Sequence, residues 1–206
     1  MPFVTRRSLL ALTVLLAVVA FAAGLFVWSG IYNVGADDTH TRPVHAVLQA
    51  LRNESIEHYS RNIEVPDLGD PALVVAGAGN YAAMCAGCHL APGAGETELS
   101  RGLYPAPPDL SRQRDIDPKR DFWVIKHGIK ASGMPAWGKS MEDRYIWGMV
   151  AFLRQLPQLD QARYHAIVER SDGHSHGGGE TAPAAPSPAA VHVHADGKTH
   201  VHADQH

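Results

Sequence analysis

Two cysteines separated by two residues and followed directly by a histidine most constrain what this chain can fold into. They occupy residues 85–89, which read Cys-Ala-Gly-Cys-His. Each thiol can add to one vinyl group of a porphyrin, and the adjacent His89 is then placed beneath the iron as an axial ligand. The spacing predicts covalent attachment of one haem c through Cys85 and Cys88, in a domain that folds around the haem.

The same cysteine spacing also occurs in thioredoxin-like redox sites and in zinc sites. A redox pair normally follows a strand in a βαβ pattern, which this sequence lacks, and it needs no adjacent histidine. A four-ligand zinc site usually has a second Cys/His cluster at short spacing, and none follows within the predicted folded part. Covalent haem attachment is therefore the favoured interpretation.

The residues before this motif share one helical face. Gly77, Tyr81 and Cys85 follow one another at four-residue steps, one helical turn apart. This pattern resembles the class I c-type cytochromes, in which a glycine and an aromatic residue precede the first cysteine where the first and last helices cross closely. The resemblance covers roughly residues 72–157. It implies an all-α fold of three to five helices around one covalently attached haem held between His and Met.

A second segment resembles the loop that brings a methionine sulfur to the other face of the iron in that family. It reads Gly-Met-Pro-Ala-Trp at residues 133–137, and the resemblance implies Met134 as the second axial ligand. The following proline restricts Met134 to an extended conformation. The alternatives are an open or water-bound iron and His127, which falls in a short predicted helix, Phe122–Ile129, ending at Gly128.

The other elements of the haem domain are predicted less sharply. The first helix is predicted over Ala72–Met84 and the last over Tyr145–Leu156, with Pro157 after its end. Residues 90–110 form a predicted loop rich in proline and glycine. Four basic residues after this loop could reach the haem propionates: Arg112, Arg114, Lys119 and Arg120. The aspartates interleaved with them favour a solvated surface loop instead.

A backbone carbonyl from the predicted loop is expected to orient the proximal histidine. Metal-bound histidines usually donate their second ring nitrogen to such a partner. We expect the carbonyl of Pro105, Pro107 or Pro108 to accept from His89, and the sequence does not choose among the three prolines.

The N-terminal region, residues 1–30, predicts a membrane anchor. Residues 9–28 carry no charge, and as a helix they span about 30 Å, the hydrocarbon thickness of a bilayer. Arg6 and Arg7 before them predict an N-terminus inside the cell. The alternative is a cleaved signal peptide, with a small-residue cleavage pattern at residues 20–22. Both interpretations place the haem domain in the periplasm, and the first holds it at the bacterial inner membrane.

Residues 31–71 predict an amphipathic helix followed by a linker. The helix is predicted over Pro43–Ser60, and prolines and glycine over residues 65–71 end it before a cytochrome domain at residues 72–160. The predicted helix either packs on its own domain or near the membrane, or offers a docking face to a larger membrane complex. Its apolar stripe consists of Val44, Val47, Leu48, Leu51 and Tyr59.

The C-terminal region, residues 171–206, is predicted to be a disordered tail. Its glycine, alanine and proline runs cannot build a core. Histidines recur in it, and the pentad His-Val-His-Ala-Asp occurs at residues 192–196 and again at 200–204.

The repeated pentad predicts a possible metal site. Alternation places His192 and His194 on one face of any strand, and a three-residue loop ending at Gly197 would pair His192 with His200. Such a cluster, completed by His202, suits Cu(II), Ni(II) or Zn(II). The alternative is a solvated tail with adventitious affinity only.

Composition excludes some function classes. The chain has 206 residues, a formal net charge of −3 and no basic stripe, so nothing indicates a nucleic-acid partner. Its two cysteines would both be used by haem, which leaves no disulfide.

The resemblance implies a one-electron carrier, because two filled axial positions would leave no site for a substrate. A methionine ligand raises the reduction potential, which suits a respiratory chain. The expected partners are redox proteins or a membrane respiratory complex. The alternatives are a dedicated subunit of one oxidoreductase complex, a periplasmic copper- or zinc-handling protein that uses the tail, and a haem enzyme or gas sensor.

Overall fold

The structure is a computed structural model that describes residues 5–112 and 116–175, together with the backbone of two short strands in the C-terminal region. The chain divides into two compact units, Met1–Val47 and Leu48–His206. Within the described residues the fold is all-α apart from that strand pair. The helices are α1 (Arg6–Trp28), α2 (Arg42–Ser60), α3 (Pro71–Met84), α4 (Ala86–His89), α5 (Glu98–Gly102), α6 (Pro118–His127), α7 (Asp143–Leu153) and α8 (Gln161–Glu169), with 3₁₀ turns at Trp137–Lys139 and Leu156–Gln158.

Helix α1 is long and apolar enough to cross a membrane. Its 23 residues would extend about 34 Å at the usual helical rise, and its mean hydropathy reaches 2.7 with no residue buried. The side chain of Thr5 caps its first turn by accepting from the amide of Ser8. A signal sequence has the same length and composition, so these properties make α1 a candidate span only.

Helix α2 has the predicted bounds to within one residue, but a different face packs. Ile56 is 6% exposed and Ser60 2% exposed, so the face that carries them is buried. The predicted apolar stripe lies on another face and is exposed, from 37% at Val44 to 67% at Val47. The sequence left open whether this helix packs on its own domain or near the membrane, or offers a docking face. In the structure the buried face of α2 lies about one third of a turn from the stripe, and Tyr59 of the stripe stacks on Trp123 of α6.

Helices α3 and α7 cross at a pair of glycines and form the centre of the core. A Cβ on Gly77 would lie 1.9 Å from the carbonyl oxygen of Gly148, so only glycine permits this approach. Asp70 caps the start of α3 by accepting from the amide of Ala72, and Pro71 occupies the first turn. The largest fully buried apolar side chains belong to these helices and the turn after α7: Tyr81, Phe152, Ile146, Met149, Leu156 and Val150.

Helix α8 was not predicted, because Pro157 was interpreted as the end of the last helix. In the structure that proline lies in a 3₁₀ turn. Asp160 then caps a new helix by accepting from the amide of Arg163. Tyr164 of α8 is 5% exposed and meets the ring of Tyr81 edge-on, with 6.5 Å between ring centroids. Ile167 and Val168 of the same helix are partly buried and also pack against the core.

The described part of the tail begins as an extension of the core. The amide of Ser175 donates to Oδ1 of Asn80, which is 1% exposed. A Cβ on Gly79 would lie 2.5 Å from the carbonyl oxygen of Gly173. Residues 171–175 therefore pack on α3, whereas the sequence placed the start of the tail at residue 171.

Two further elements differ from the sequence prediction. The loop predicted over residues 90–110 contains α5, which begins at a capping box formed by Thr97 and Ser100. Helix α6 begins four residues earlier than predicted, because Asp117 caps it by accepting from the amide of Lys119. Lys119 and Arg120 are therefore helical and do not belong to a surface loop.

The two described strands lie in the C-terminal region and pair in antiparallel fashion. Strand β1 (Val191–Val193) pairs with β2 (Thr199–Val201), with His192 opposite His200. A three-residue loop ending at Gly197 requires this register.

Candidate haem-binding site

The junction of α3 and α4 places both cysteines at one end of the core. The amide of Cys85 completes α3 by donating to Tyr81, and the amides of Cys88 and His89 then donate to the carbonyl of Cys85. Both thiols are free and half-buried. Burial, and secondarily the nearby Cys88, raises the pKa of Cys85 to about 12. Two thiols one turn apart can each add S–H across one vinyl group.

The imidazole of His89 is oriented by a backbone carbonyl. Its Nδ1 lies 2.9 Å from the carbonyl oxygen of Pro108, so this nitrogen carries the proton and Nε2 keeps its lone pair. Burial lowers the pKa of His89, against the opposing effect of this hydrogen bond. A neutral, fixed imidazole is the form that binds iron. Of the three prolines that the sequence left open, the structure selects Pro108.

Tyr81 braces the turn that follows His89. Its hydroxyl donates to the carbonyl of Leu90 at 2.6 Å and lies 3.4 Å from the carbonyl oxygen of His89. Leu90 has a positive φ of 65°, an uncommon conformation for a residue with a side chain. Burial raises the pKa of Tyr81, so the hydroxyl remains a donor throughout the physiological range.

The loop that carries Met134 is folded back onto the end of α6. The amide of Ile129 donates to the carbonyl of Met134 at 3.2 Å. The hydroxyl of Ser132 donates to the carbonyl of Ile129 and accepts from the amide of Met134. A Cβ on Gly128, whose φ is +65°, would lie 2.7 Å from the carbonyl oxygen of Met134. These contacts fix the position of Met134 independently of any ligand.

One cavity of about 760 Å³ brings the sequence-predicted residues together. Its size lies in the range of about 300–1,000 Å³ that is usual for cofactor sites. The predicted haem residues that line it are Cys85, Cys88, His89 and Met134. His127, the alternative ligand, is exposed and packs against Trp123 outside this lining. The donor set therefore fits haem c: two thiols, a neutral imidazole and a thioether face one largely apolar cavity.

Residues 72–153 match the family model described as cytochrome c oxidase, cbb3-type, subunit III. This segment is a class I c-type cytochrome domain. The cytochrome domain implies haem c as cofactor and electron transfer as activity, with redox proteins as partners. No curated protein and no solved structure matches the chain significantly. Helices α2 and α8 lie outside the matched segment.

Sequence reasoning named Arg120 as a residue that could reach the haem propionates, but it missed the rest of the polar side of the haem cavity. Arg52 and Ile56 of α2 line it, together with Asp117, Arg120 and Asp121 around the start of α6. The signal was present in α2, because Arg52, Ile56 and the buried Ser60 follow at four-residue steps. The more continuous apolar stripe of the same helix concealed it.

Asp121 has the most strongly perturbed carboxyl group of the cytochrome domain. Burial, and then the neighbouring Asp117, raises its pKa to about 7, against the opposing effect of Arg120. The haem cavity therefore contains a carboxyl group that titrates near neutral pH.

The tail histidines are not assembled into a described site. His194 and His202 lie outside the described residues, and only the backbone is described at His192 and His200. Within residues 5–112 and 116–175 no group of three or more His, Cys, Asp or Glu side chains is arranged to hold a metal ion. Copper or zinc binding by the tail stays a prediction.

Proposed function

We propose that this chain is a membrane-tethered electron carrier whose haem c has His89 and Met134 as axial ligands, in a respiratory chain. The observation that supports this most directly is the shared cavity. It holds both cysteine thiols, an imidazole fixed by Pro108 and a thioether on a separately braced loop. Haem c supplies the one-electron chemistry when it is bound.

The residues of the chain determine how that chemistry runs. His89 is held neutral and oriented, so no proton has to leave before it binds iron. Met134 offers a soft sulfur donor, which stabilises the reduced state relative to a second histidine. With both axial positions filled, substrates have no access to the iron, and the domain transfers electrons without making or breaking bonds in a substrate.

The ligation is tested by Met134→Ala, with Met141→Leu as the matched control. Met141 is 4% exposed in the core, and leucine conserves its volume. We expect Met134→Ala to abolish the weak near-infrared methionine-to-iron band and to open the iron to carbon monoxide and cyanide. Met141→Leu should change neither property. A band that persists in Met134→Ala would assign the sixth ligand to another residue.

The tether is supported by α1, whose length and hydropathy match a bilayer span. The arginine pair at its start favours an N-terminus in the cytoplasm and a haem domain in the periplasm. A tether raises the effective concentration of the haem at a membrane-bound partner without any new contact. This suits delivery of electrons to a membrane complex.

A second candidate function is a dedicated subunit of one oxidoreductase complex. Two observations favour it: the matched family model is described as an oxidase subunit, and the apolar stripe of α2 is exposed. Exposed apolar stripes of this kind commonly mark interaction surfaces. Co-purification from detergent-solubilised membranes separates the two candidates, since a subunit would remain with its complex at constant stoichiometry and a carrier would not.

A further inference from the structure

The C-terminal half of α2 forms one wall of the haem cavity, although it lies outside the matched segment. Ile56 is almost fully buried, and Arg52, one turn earlier, lines the same cavity as Cys85 and His89. A complete description of the haem site therefore includes a helix that precedes the cytochrome domain.

Three different contacts hold this part of α2 on α6. Lys119 donates from Nζ to the carbonyl of Arg61 at 3.0 Å. Arg120 pairs with Glu57 at 3.4 Å. Tyr59 stacks on Trp123 with 6.0 Å between ring centroids and 14° between ring planes. An ion pair, a stacked ring pair and a backbone contact together fix the position of the helix, so Arg52 is held at the cavity.

Within the described residues, Arg52 at this wall has no acidic partner. Arg120 is paired with Glu57, and Asp117 caps α6. Arg52 donates from Nε and Nη2 to Oδ1 of Asn53, both at 3.1 Å, and it forms no ion pair with any residue of the described ranges. A partly buried guanidinium with only a neutral amide as acceptor is costly unless an anion arrives.

Haem supplies that anion. It carries two propionate carboxylates at the porphyrin edge opposite the vinyl groups, and the vinyl edge is assigned to Cys85 and Cys88. We propose that Arg52 binds a haem propionate, so that α2 is part of the haem site and sets the reduction potential. A planar guanidinium matches a carboxylate through two parallel hydrogen bonds. The inference rests on haem attachment and does not depend on the sixth ligand or on the electron partner.

The positive charge of Arg52 should change the reduction potential of the haem in a definite direction. Ferric haem carries one more positive charge than ferrous haem, so a nearby cation favours the reduced state. Removing Arg52 leaves the propionate uncompensated, which stabilises the ferric state and lowers the reduction potential. The uncompensated propionate also holds its proton to higher pH.

The test uses full-length, haem-loaded protein in detergent, with Arg52→Gln compared with Arg163→Gln. Arg163 is a matched control, because it lies on α8 with its side chain 72% exposed and pairs with Asp160. We expect Arg52→Gln to lower the midpoint potential in a redox titration, and Arg163→Gln to leave it unchanged. Covalent haem content and the near-infrared band should stay as in the wild type, which separates this proposal from the assignment of Met134.

The pH dependence of the potential gives a second readout. The charged groups that face the site are Arg120, Asp117 and Asp121, with Glu57 behind Arg120. Because Asp121 itself titrates near neutral pH, the titration is repeated with Asp121→Asn present. In that background Arg52→Gln should introduce a pH-dependent step that Arg52→Lys lacks.

Two outcomes would overturn the proposal. One is an Arg52→Gln variant with the potential and pH profile of the wild type. The other is an Arg52→Lys variant as low in potential as Arg52→Gln, because lysine keeps the positive charge and should restore much of the difference. If Arg52→Gln binds haem poorly, the midpoint potential of Arg52→Lys is compared with that of the wild type instead, and Arg163→Lys is the matched control.

Discussion

Burial keeps the working side chains of the haem cavity uncharged. The pKa of Cys85 is raised and that of His89 is lowered, in both cases chiefly by desolvation. Tyr81, also desolvated, keeps its proton and donates to two carbonyls of the turn after His89. The candidate site therefore presents an uncharged imidazole and an uncharged Cys85 thiol to the cavity, and its charged groups lie at the wall formed by α2 and α6.

The raised pKa of Asp121 predicts a reduction potential that depends on pH. Its pKa of about 7 means that the carboxyl group ionises across neutral pH. An ionised carboxylate at the cavity stabilises the ferric state, so the potential should fall as pH rises through about 7. Asp121→Asn should flatten this dependence in a redox titration, whereas the exposed control Asp172→Asn should not. An unchanged pH slope in Asp121→Asn would show that its carboxyl group is not coupled to the haem.

The raised pKa of Asp121 also makes the stability of the fold depend on pH. The direction is opposite to that of an aspartate in an ion pair, whose pKa is lowered. The pKa of Asp121 is raised in the folded state from an ordinary value of 3.8. Its contribution therefore favours the folded state below pH 3.8 and is lost as pH rises through about 7. The difference in unfolding free energy between wild type and Asp121→Asn should change across that interval only.

At the scale of helices, the crossing of α3 and α7 depends on one small residue. Gly77→Ala would place a Cβ 1.9 Å from the carbonyl oxygen of Gly148, so the helices must separate. Overpacking of this kind typically costs about 1–3 kcal/mol, and Cys85 at the end of α3 would move with it. We expect a lower denaturant midpoint for the holoprotein and a weaker near-infrared band.

The matched control for this crossing is Gly102→Ala at the end of α5. A Cβ at Gly102 meets nothing within 4 Å, so this variant should unfold at the wild-type midpoint. Equal stability of Gly77→Ala and Gly102→Ala would contradict the close crossing.

At the scale of the whole molecule, the fate of α1 decides how the carrier works. If the apolar segment is retained, carbonate washing should leave the protein in the membrane fraction, and mass spectrometry should find residues 1–30 intact. The physical reason is that a span of this hydropathy has no favourable aqueous state. Replacing residues 1–30 by an ordinary cleaved signal peptide should preserve the haem spectrum and slow electron delivery to a membrane partner.

A mature N-terminus at Ala23 would contradict the tether. The cytochrome domain would then act as a soluble shuttle, and carbonate washing would release it. The soluble form made with the replaced signal peptide serves as the control for that release.

Much of the site was predictable from local sequence, because the chemistry is carried by contiguous residues. The spacing of Cys85, Cys88 and His89 by itself predicts haem attachment, and helical periodicity places Gly77 and Tyr81 on the same face as Cys85. The resemblance to class I cytochromes implied Met134, and the structure brings it to the same cavity. The same resemblance implied the all-α fold, which the helices of the described residues confirm.

Tertiary structure decided which distant residues complete the site. Three prolines offered a carbonyl to His89, and only the path of the loop selects Pro108. Arg52 reaches the cavity because α2 buries Ile56, one turn after Arg52, while the side chains of its apolar stripe stay largely exposed. Tyr164 joins the core from a helix that begins after the predicted end of the last helix. Local patterns specify a motif and a helical face, whereas the choice between two faces of one helix depends on the surface against which it packs.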